Sequence, residues 1–181
     1  MKLLLDACVL YPTVMREMLI GAAQLGLYQP LWSPRILEEW ARAAAKIDPA
    51  QEVQARGEIA LLRAAYPRAE ITPQPAVQNR LWLPDANDIH VLAAAVSGSA
   101  EAIITLNAKD FPRNILAEEG VVRHDPDWVL CQFHDRAPEL MDGVATRVLQ
   151  TANTLSGQTW TLRALMKKAR LPRLGKALSA N

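Results

Sequence analysis

Carboxylates recur at the points where short apolar runs end or helices are about to begin. Asp6 closes LLLD, Glu39 lies in SPRILEEW, Asp85 and Asp88 open LPDANDIHV, and Asp110 follows the run IITL in IITLNAKDF. Taken singly, each acid has an ordinary explanation. Asp6, Asn107 and Asp110 suit turns, Asp85 suits an N-cap, and Asp88, Glu38 and Glu39 suit the first turns of helices. The ordered set asks for more, because carboxylates brought to one end of a sheet repel one another and are costly to desolvate without a cation. No CxxC and no paired-histidine spacing accompanies them. An all-oxygen donor set points to a hard divalent cation, Mg²⁺ or Mn²⁺, rather than zinc.

The elements that must position these acids alternate in type. Strands are expected at 3–5, 29–32, 69–72, 102–105 and 121–123. Helices are expected from Pro12 to a stop at Gly26, from a Ser33-Pro34 start to Lys46, over 51–65, from an Asp85 cap through Val96, and over 111–119. That alternation predicts an α/β fold with a parallel sheet flanked by helices, whose strand ends form the ligand crevice. In the helix that starts at Ser33-Pro34, Ile36, Leu37, Trp40, Ala43 and Ala44 define the buried face. At about 100° per residue, Glu39 falls roughly 100° from its centre and Glu38 roughly 160°, so Glu39 is the better candidate. The loop ITPQP reads as proline-interrupted. From Asp125 the pattern becomes helical, over 128–141, 143–154 and 161–169, with Leu171-Pro172 as a break. This divides the chain into 1–125 and a C-terminal helical extension, 126–181.

Lys plus Arg number 20 and Asp plus Glu 19 in 181 residues, so net charge says nothing of a partner, but its distribution does. No acid follows Asp142, whereas Arg147, Arg163, Lys167, Lys168, Arg170, Arg173 and Lys176 do. Two cysteines, Cys8 and Cys131, make no disulfide framework, so a cytoplasmic setting is the expectation. The run after Lys2 ends at Asp6, and 18–34 is broken by Gly21, Gly26, Pro30 and Pro34, so neither a signal core nor a membrane span is expected. His90 is two residues from Asp88, about 200° round the helix, and is not expected to share its face. His124 and His134 lack ligand spacing and read as surface or capping residues. Trp32, Trp40 and Trp128 fit core positions, and Trp160 is placed against the tail.

Over 1–125 these motifs resemble the PIN-domain ribonucleases and, among them, the VapC-like toxins of bacterial toxin–antitoxin pairs. LLLDACVLYP is similar to the family's opening strand and first acid, SPRILEEW to its second-acid helix, LPDANDIHVLAAAV to its D-x-x-D helix, and IITLNAKDFP to its T-x-N-x-x-D-F turn. The resemblance implies a PIN-like fold, with Asp6, Glu39, Asp88 and Asp110 as catalytic and metal-binding acids. It adds Asp85 as an auxiliary metal ligand, with Thr105 and Asn107 shaping the site. It further implies a Mg²⁺- or Mn²⁺-dependent endoribonuclease that cuts RNA to 5′-phosphate and 3′-hydroxyl ends, with a cognate antitoxin and a homodimer as partners. Arg16, Arg35, Arg42, Lys109 and Arg113 are candidate contacts to the RNA backbone. The family more often has Asn, Ser or Thr where this chain has Cys8, which reads as a small buried hydrophobe. A non-catalytic PIN-fold RNA-binding or interaction protein is the alternative, and Cys8 is the feature that points to it. A phosphatase using Asp6 as phosphoryl acceptor would want an acid at position 8.

Overall fold

The structure, a computed structural model, describes residues 1–179. In chain order the first elements are β1 (Lys2–Leu5), α1 (Ala7–Leu10), α2 (Thr13–Gln24), β2 (Gln29–Leu31), α3 (Pro34–Ala45) and α4 (Pro49–Ala65). There follow α5 (Pro75–Arg80), a 3₁₀ turn (Ala86–Asp88), α6 (Ile89–Ser97), β3 (Ala102–Ile104), α7 (Arg113–Glu118) and β4 (Val122–His124). The chain ends in α8 (Pro126–Arg136), α9 (Pro138–Ser156), α10 (Leu162–Lys168) and α11 (Pro172–Ala177). Two compact units result: Met1–Tyr11 with Gln29–His124, and Pro12–Tyr28 with the chain from Asp125 on. The linear reading ran the first region unbroken to residue 125, whereas 12–28 group with the C-terminal helices.

In the first unit the four strands form one parallel sheet in the order β2-β1-β3-β4. This is the α/β, PIN-like class expected from the alternation. Leu3, Leu4 and Leu5 are all buried, the mark of a parallel strand covered on both faces. Asp6 N–H donates to the Ile104 carbonyl at 3.1 Å, and Thr105 N–H donates to His124 O at 3.2 Å. The register therefore sets Asp6 and Thr105 side by side, just past their strand ends. Ser33 caps α3 by accepting from Ile36 N–H at 3.2 Å, with Pro34 in the first turn, as its sequence announces.

Several elements differ from the sequence reading, and proline accounts for most of the differences. Residues 69–72 contribute one bridge, Trp32 to Glu70, rather than a strand, because the neighbouring chain turns at Ser33 into α3. Pro75, read as part of a loop, opens α5. The helix expected over 128–141 is two helices, because a residue before proline is driven out of the α region. Ala137, with φ −148° and ψ 64°, ends α8, and Pro138 then starts α9, which absorbs 143–154. Pro172 likewise begins α11 instead of only breaking a pattern. At each site proline sits where its missing N–H would have had no helical partner. Trp32 and Trp40 are buried as expected, but Trp128 is 38% exposed.

The second unit is helical. Gly21 of α2 lies against Val144 of α9, where an added Cβ would collide with that side chain. Tyr28 stacks on Phe133 with centroids 5.3 Å apart and donates its hydroxyl to Leu19 O at 2.9 Å. Buried Asp127 of α8 accepts from the N–H groups of Arg173 and Leu174, each at 2.9 Å, satisfying the otherwise orphaned donors at the start of α11. No helix among the described residues is long and apolar enough to cross a membrane.

Candidate metal centre

Three of the five candidate ligands converge. Asp85, Asp88 and Asp110 each offer a carboxylate oxygen, and the three atoms lie within 4.8 Å of one another. Their convergence is built locally. Asp85 caps the 3₁₀ turn, accepting from Asn87 N–H at 2.9 Å and from its Nδ2 at 3.0 Å. The turn carries Asp88 three residues on, and the loop between β3 and α7 supplies Asp110. Asn107 Nδ2 donates to Asp88 Oδ2 at 3.3 Å, tying that loop to the turn. Burial, then the charges of Asp6, Asp85 and Asp110, push the Asp88 carboxyl up to about 6. A carboxylate in that condition lacks a counter-charge.

Asp6 stands beside this trio and is itself oriented. Thr105 Oγ1 donates to Asp6 Oδ2 at 2.7 Å and accepts from Asn107 N–H at 3.0 Å. Cys8 Sγ donates to the same Asp6 oxygen at 3.1 Å, lies 3.4 Å from Thr105 Oγ1, and accepts from Leu106 N–H at 3.3 Å. Cys8 thus fills a polar position rather than acting as a bare hydrophobe. Burial, followed by the Asp6 charge, pushes its thiol up to about 12, so at neutral pH it is a donor and not a thiolate ligand.

Glu39 is half-buried on α3, and its carboxylate is engaged elsewhere. His90 Nε2 lies 2.9 Å from Glu39 Oε1, and Arg35 Nε donates to the same oxygen at 3.1 Å. Burial pushes the Glu39 carboxyl up, but His90 and Arg35 together outweigh it and hold the group below the usual range. His90 is 3% exposed, and its Nδ1 is buried without a hydrogen-bond partner. Sequence reasoning set His90 aside because it leaves the face of Asp88. It does leave that face, and so meets Glu39 on another element, a partnership with no signature in linear spacing.

The cations proposed for RNA fare unequally. Arg35 is held by Glu39 and by Asn87 O at 3.2 Å, Arg42 by Glu38 at 3.1 Å, and Arg16 is buried. Lys109 and Arg113 are exposed. Glu38 is held below the usual carboxylate range by its hydrogen bonds to Arg56 and Arg42.

A family model described as PIN domain matches residues 2–109. The chain belongs to the PIN-domain family. PIN domains are generally metal-dependent nucleases, and the matched segment contains Asp6, Glu39, Asp85 and Asp88, with Asp110 one residue beyond it. The PIN-domain chain has no significant match among curated proteins or solved structures. The donor chemistry fits a divalent cation: three hard oxygens in mutual reach, a fourth acid close enough to raise Asp88, and a thiol that stays protonated.

Proposed function

We propose that this PIN domain is a Mg²⁺- or Mn²⁺-dependent endoribonuclease and the toxin of a toxin–antitoxin pair. The reaction is hydrolysis: water adds to phosphorus, the RNA 3′-oxygen leaves, and the products carry a 5′-phosphate and a 3′-hydroxyl. A divalent cation, when bound, supplies a lowered water pKa and neutralises charge on the phosphodiester. Asp85, Asp88 and Asp110 are the residues that hold it, and their convergence is the observation that carries the reading. Asp6 completes the acidic centre, kept in one orientation by Thr105 and Cys8. Asn107 fixes Asp88, and Glu39 stands outside the trio with its carboxylate already engaged by Arg35 and His90. The toxin assignment, an antitoxin partner and a homodimer rest on the resemblance of the four acid motifs to VapC-like proteins, and a cytoplasmic location rests on two cysteines that make no disulfide framework.

The test is cleavage of total bacterial RNA by purified protein in Mg²⁺, Mn²⁺ or EDTA, beside Asp6→Asn and Asp88→Asn variants. Discrete cuts ending in 5′-phosphate, lost in EDTA and in both variants, are expected. The engagement of Glu39 by His90 and Arg35 favours one second reading, a PIN fold that binds RNA without turnover. Folded protein that binds RNA but neither binds Mn²⁺ nor cuts would establish that reading instead. A small reading frame abutting this one, whose product blocks the cuts, is the outcome expected of the toxin assignment.

A further inference from the structure

We infer that the hairpin of α10 and α11 is a docking surface for the phosphate backbone of single-stranded RNA, formed by residues other than those of the acidic centre. The inference takes its polymer from the ribonuclease reading, and its argument from charge. Arg147, Arg163, Lys167, Lys168, Arg170, Arg173 and Lys176 are all exposed, and none forms an ion pair with a carboxylate among the described residues. Lys168 is committed to the ring of Trp160, 4.6 Å from its centroid. The others have no such partner.

The fold holds them in a fixed array. Leu165 and Met166 are the buried face of α10, so Arg163 and Lys167, four residues apart, share the outer face. Arg170 ends the helix at φ 61°, its N–H donating to Lys167 O at 3.2 Å. Gly175 brings α11 close, since a Cβ there would lie 2.8 Å from Met166 Cβ. Leu171, Leu174 and Leu178 are buried beneath, leaving Arg173 and Lys176 exposed. Asp127, the acid that touches α11, spends its carboxylate on the Arg173 and Leu174 backbone N–H groups. It therefore caps a helix and leaves the side-chain cations unneutralised.

The character of the surface selects its ligand. No large apolar side chain of α10 or α11 is exposed, Leu155 at the end of α9 lies outside the hairpin, and Lys168 sits over the ring of Trp160, so the hairpin itself has nothing to insert into a lipid surface. Cations on a rigid scaffold suit the repeated charge of a phosphate backbone, which is recognised by charge and released by salt.

The experiment measures fluorescence anisotropy of a labelled single-stranded RNA of about 20 nucleotides with the full chain in EDTA, between about 50 and 200 mM salt, where phosphate contacts dominate the response. The variant is Arg163→Gln/Lys167→Gln/Arg173→Gln/Lys176→Gln, and a circular-dichroism melt checks its fold. Should that variant fail to fold, the Arg163→Gln/Lys167→Gln and Arg173→Gln/Lys176→Gln pairs are measured separately. Affinity is expected to fall about tenfold or more, and the slope of log affinity against log salt to shrink by about 0.7 for each contact removed. Arg56→Gln/Arg63→Gln, at cations already paired with glutamates, is expected to leave both unchanged. Wild-type affinity and slope in the quadruple variant would overturn the inference. So would binding to polyglutamate or phosphatidylserine vesicles with none to RNA. Because EDTA suspends turnover, failed cleavage in Mn²⁺ with intact, salt-sensitive binding would sink the nuclease reading alone. Intact cleavage with unchanged binding in the variant would sink the docking surface alone.

Discussion

The two units handle charge in opposite ways. In the first, Arg35, Arg42, Arg56, Arg63 and Arg80 each face a glutamate, while Asp85, Asp88 and Asp110 crowd together beyond the sheet ends. In the second, acids serve the fold, Asp127 capping α11 and Asp142 meeting His134 at 3.1 Å, while the cations from Arg147 onward go unmatched. Matched exposed pairs contribute little, because both partners were already well solvated. Unmatched charge on a rigid frame is where a ligand gains most. The molecule thus presents an acidic centre suited to a cation and a basic surface suited to a polyanion, from a sequence whose overall charge is only +1.

The strongest way to break this comparison is to neutralise an acid of the first unit. Asp110→Asn is expected to lower the rate of RNA cleavage by about a hundredfold or more, above the 10- to 100-fold typical of groups that only support a ligand. Its melt should not fall below that of the wild type in EDTA, since the substitution relieves repulsion; a cleavage rate within a few-fold of wild type would end the case for that carboxylate. In the second unit, where the buried acid is structural, Asp127→Ala leaves two N–H donors of α11 unsatisfied. It is expected to cost about 2 kcal/mol, read as a lowered midpoint in urea.

The pH response should separate acids within the centre itself. Asp88 keeps its proton to about pH 6 in the folded protein against a usual value of 3.8, so between those limits the native state binds more protons. Its contribution therefore makes stability fall as pH rises through that window in EDTA. Glu39, held low by His90 and Arg35, contributes stability above the unfolded carboxyl pKa and loses it as pH falls. Thermal melts from pH 4 to 7 should show the Asp88 component vanish in Asp88→Asn, and Mn²⁺ should restore the wild type at pH 7. An identical pH profile in the variant would refute the raised carboxyl. The smallest effect is expected at a matched surface pair: Arg63→Gln, which removes a 2.6 Å contact to Glu70, should change stability by less than about 1 kcal/mol.

Much of this was legible in the linear chain. LLLD, the Ser33-Pro34 start and the D-x-x-D turn announce themselves through local chemistry: apolar runs, a hydroxyl cap, an acid over an open helix end. The preference for Glu39 over Glu38 follows from helix phase alone; in the structure Arg42 and Arg56 engage Glu38, and Arg35 and His90 engage Glu39. The prolines were legible as punctuation but not in direction. The same residue that halts α8 at Ala137 starts α9 at Pro138, because proline excludes the helical conformation before itself while fitting the first helical position.

What the sequence by itself determined is the kind of chemistry and the class of fold. The acids, their order, the parallel α/β alternation and the acid-free basic tail are all properties of local spacing and composition. Only the tertiary structure decided which side chains meet. His90 reaches Glu39 across 51 positions, Thr105 and Cys8 share one oxygen of Asp6, and residues 12–28 join the C-terminal helices instead of the sheet unit. Such contacts depend on strand register and helix packing, and these are settled by burying apolar area over the whole chain, which no local motif encodes.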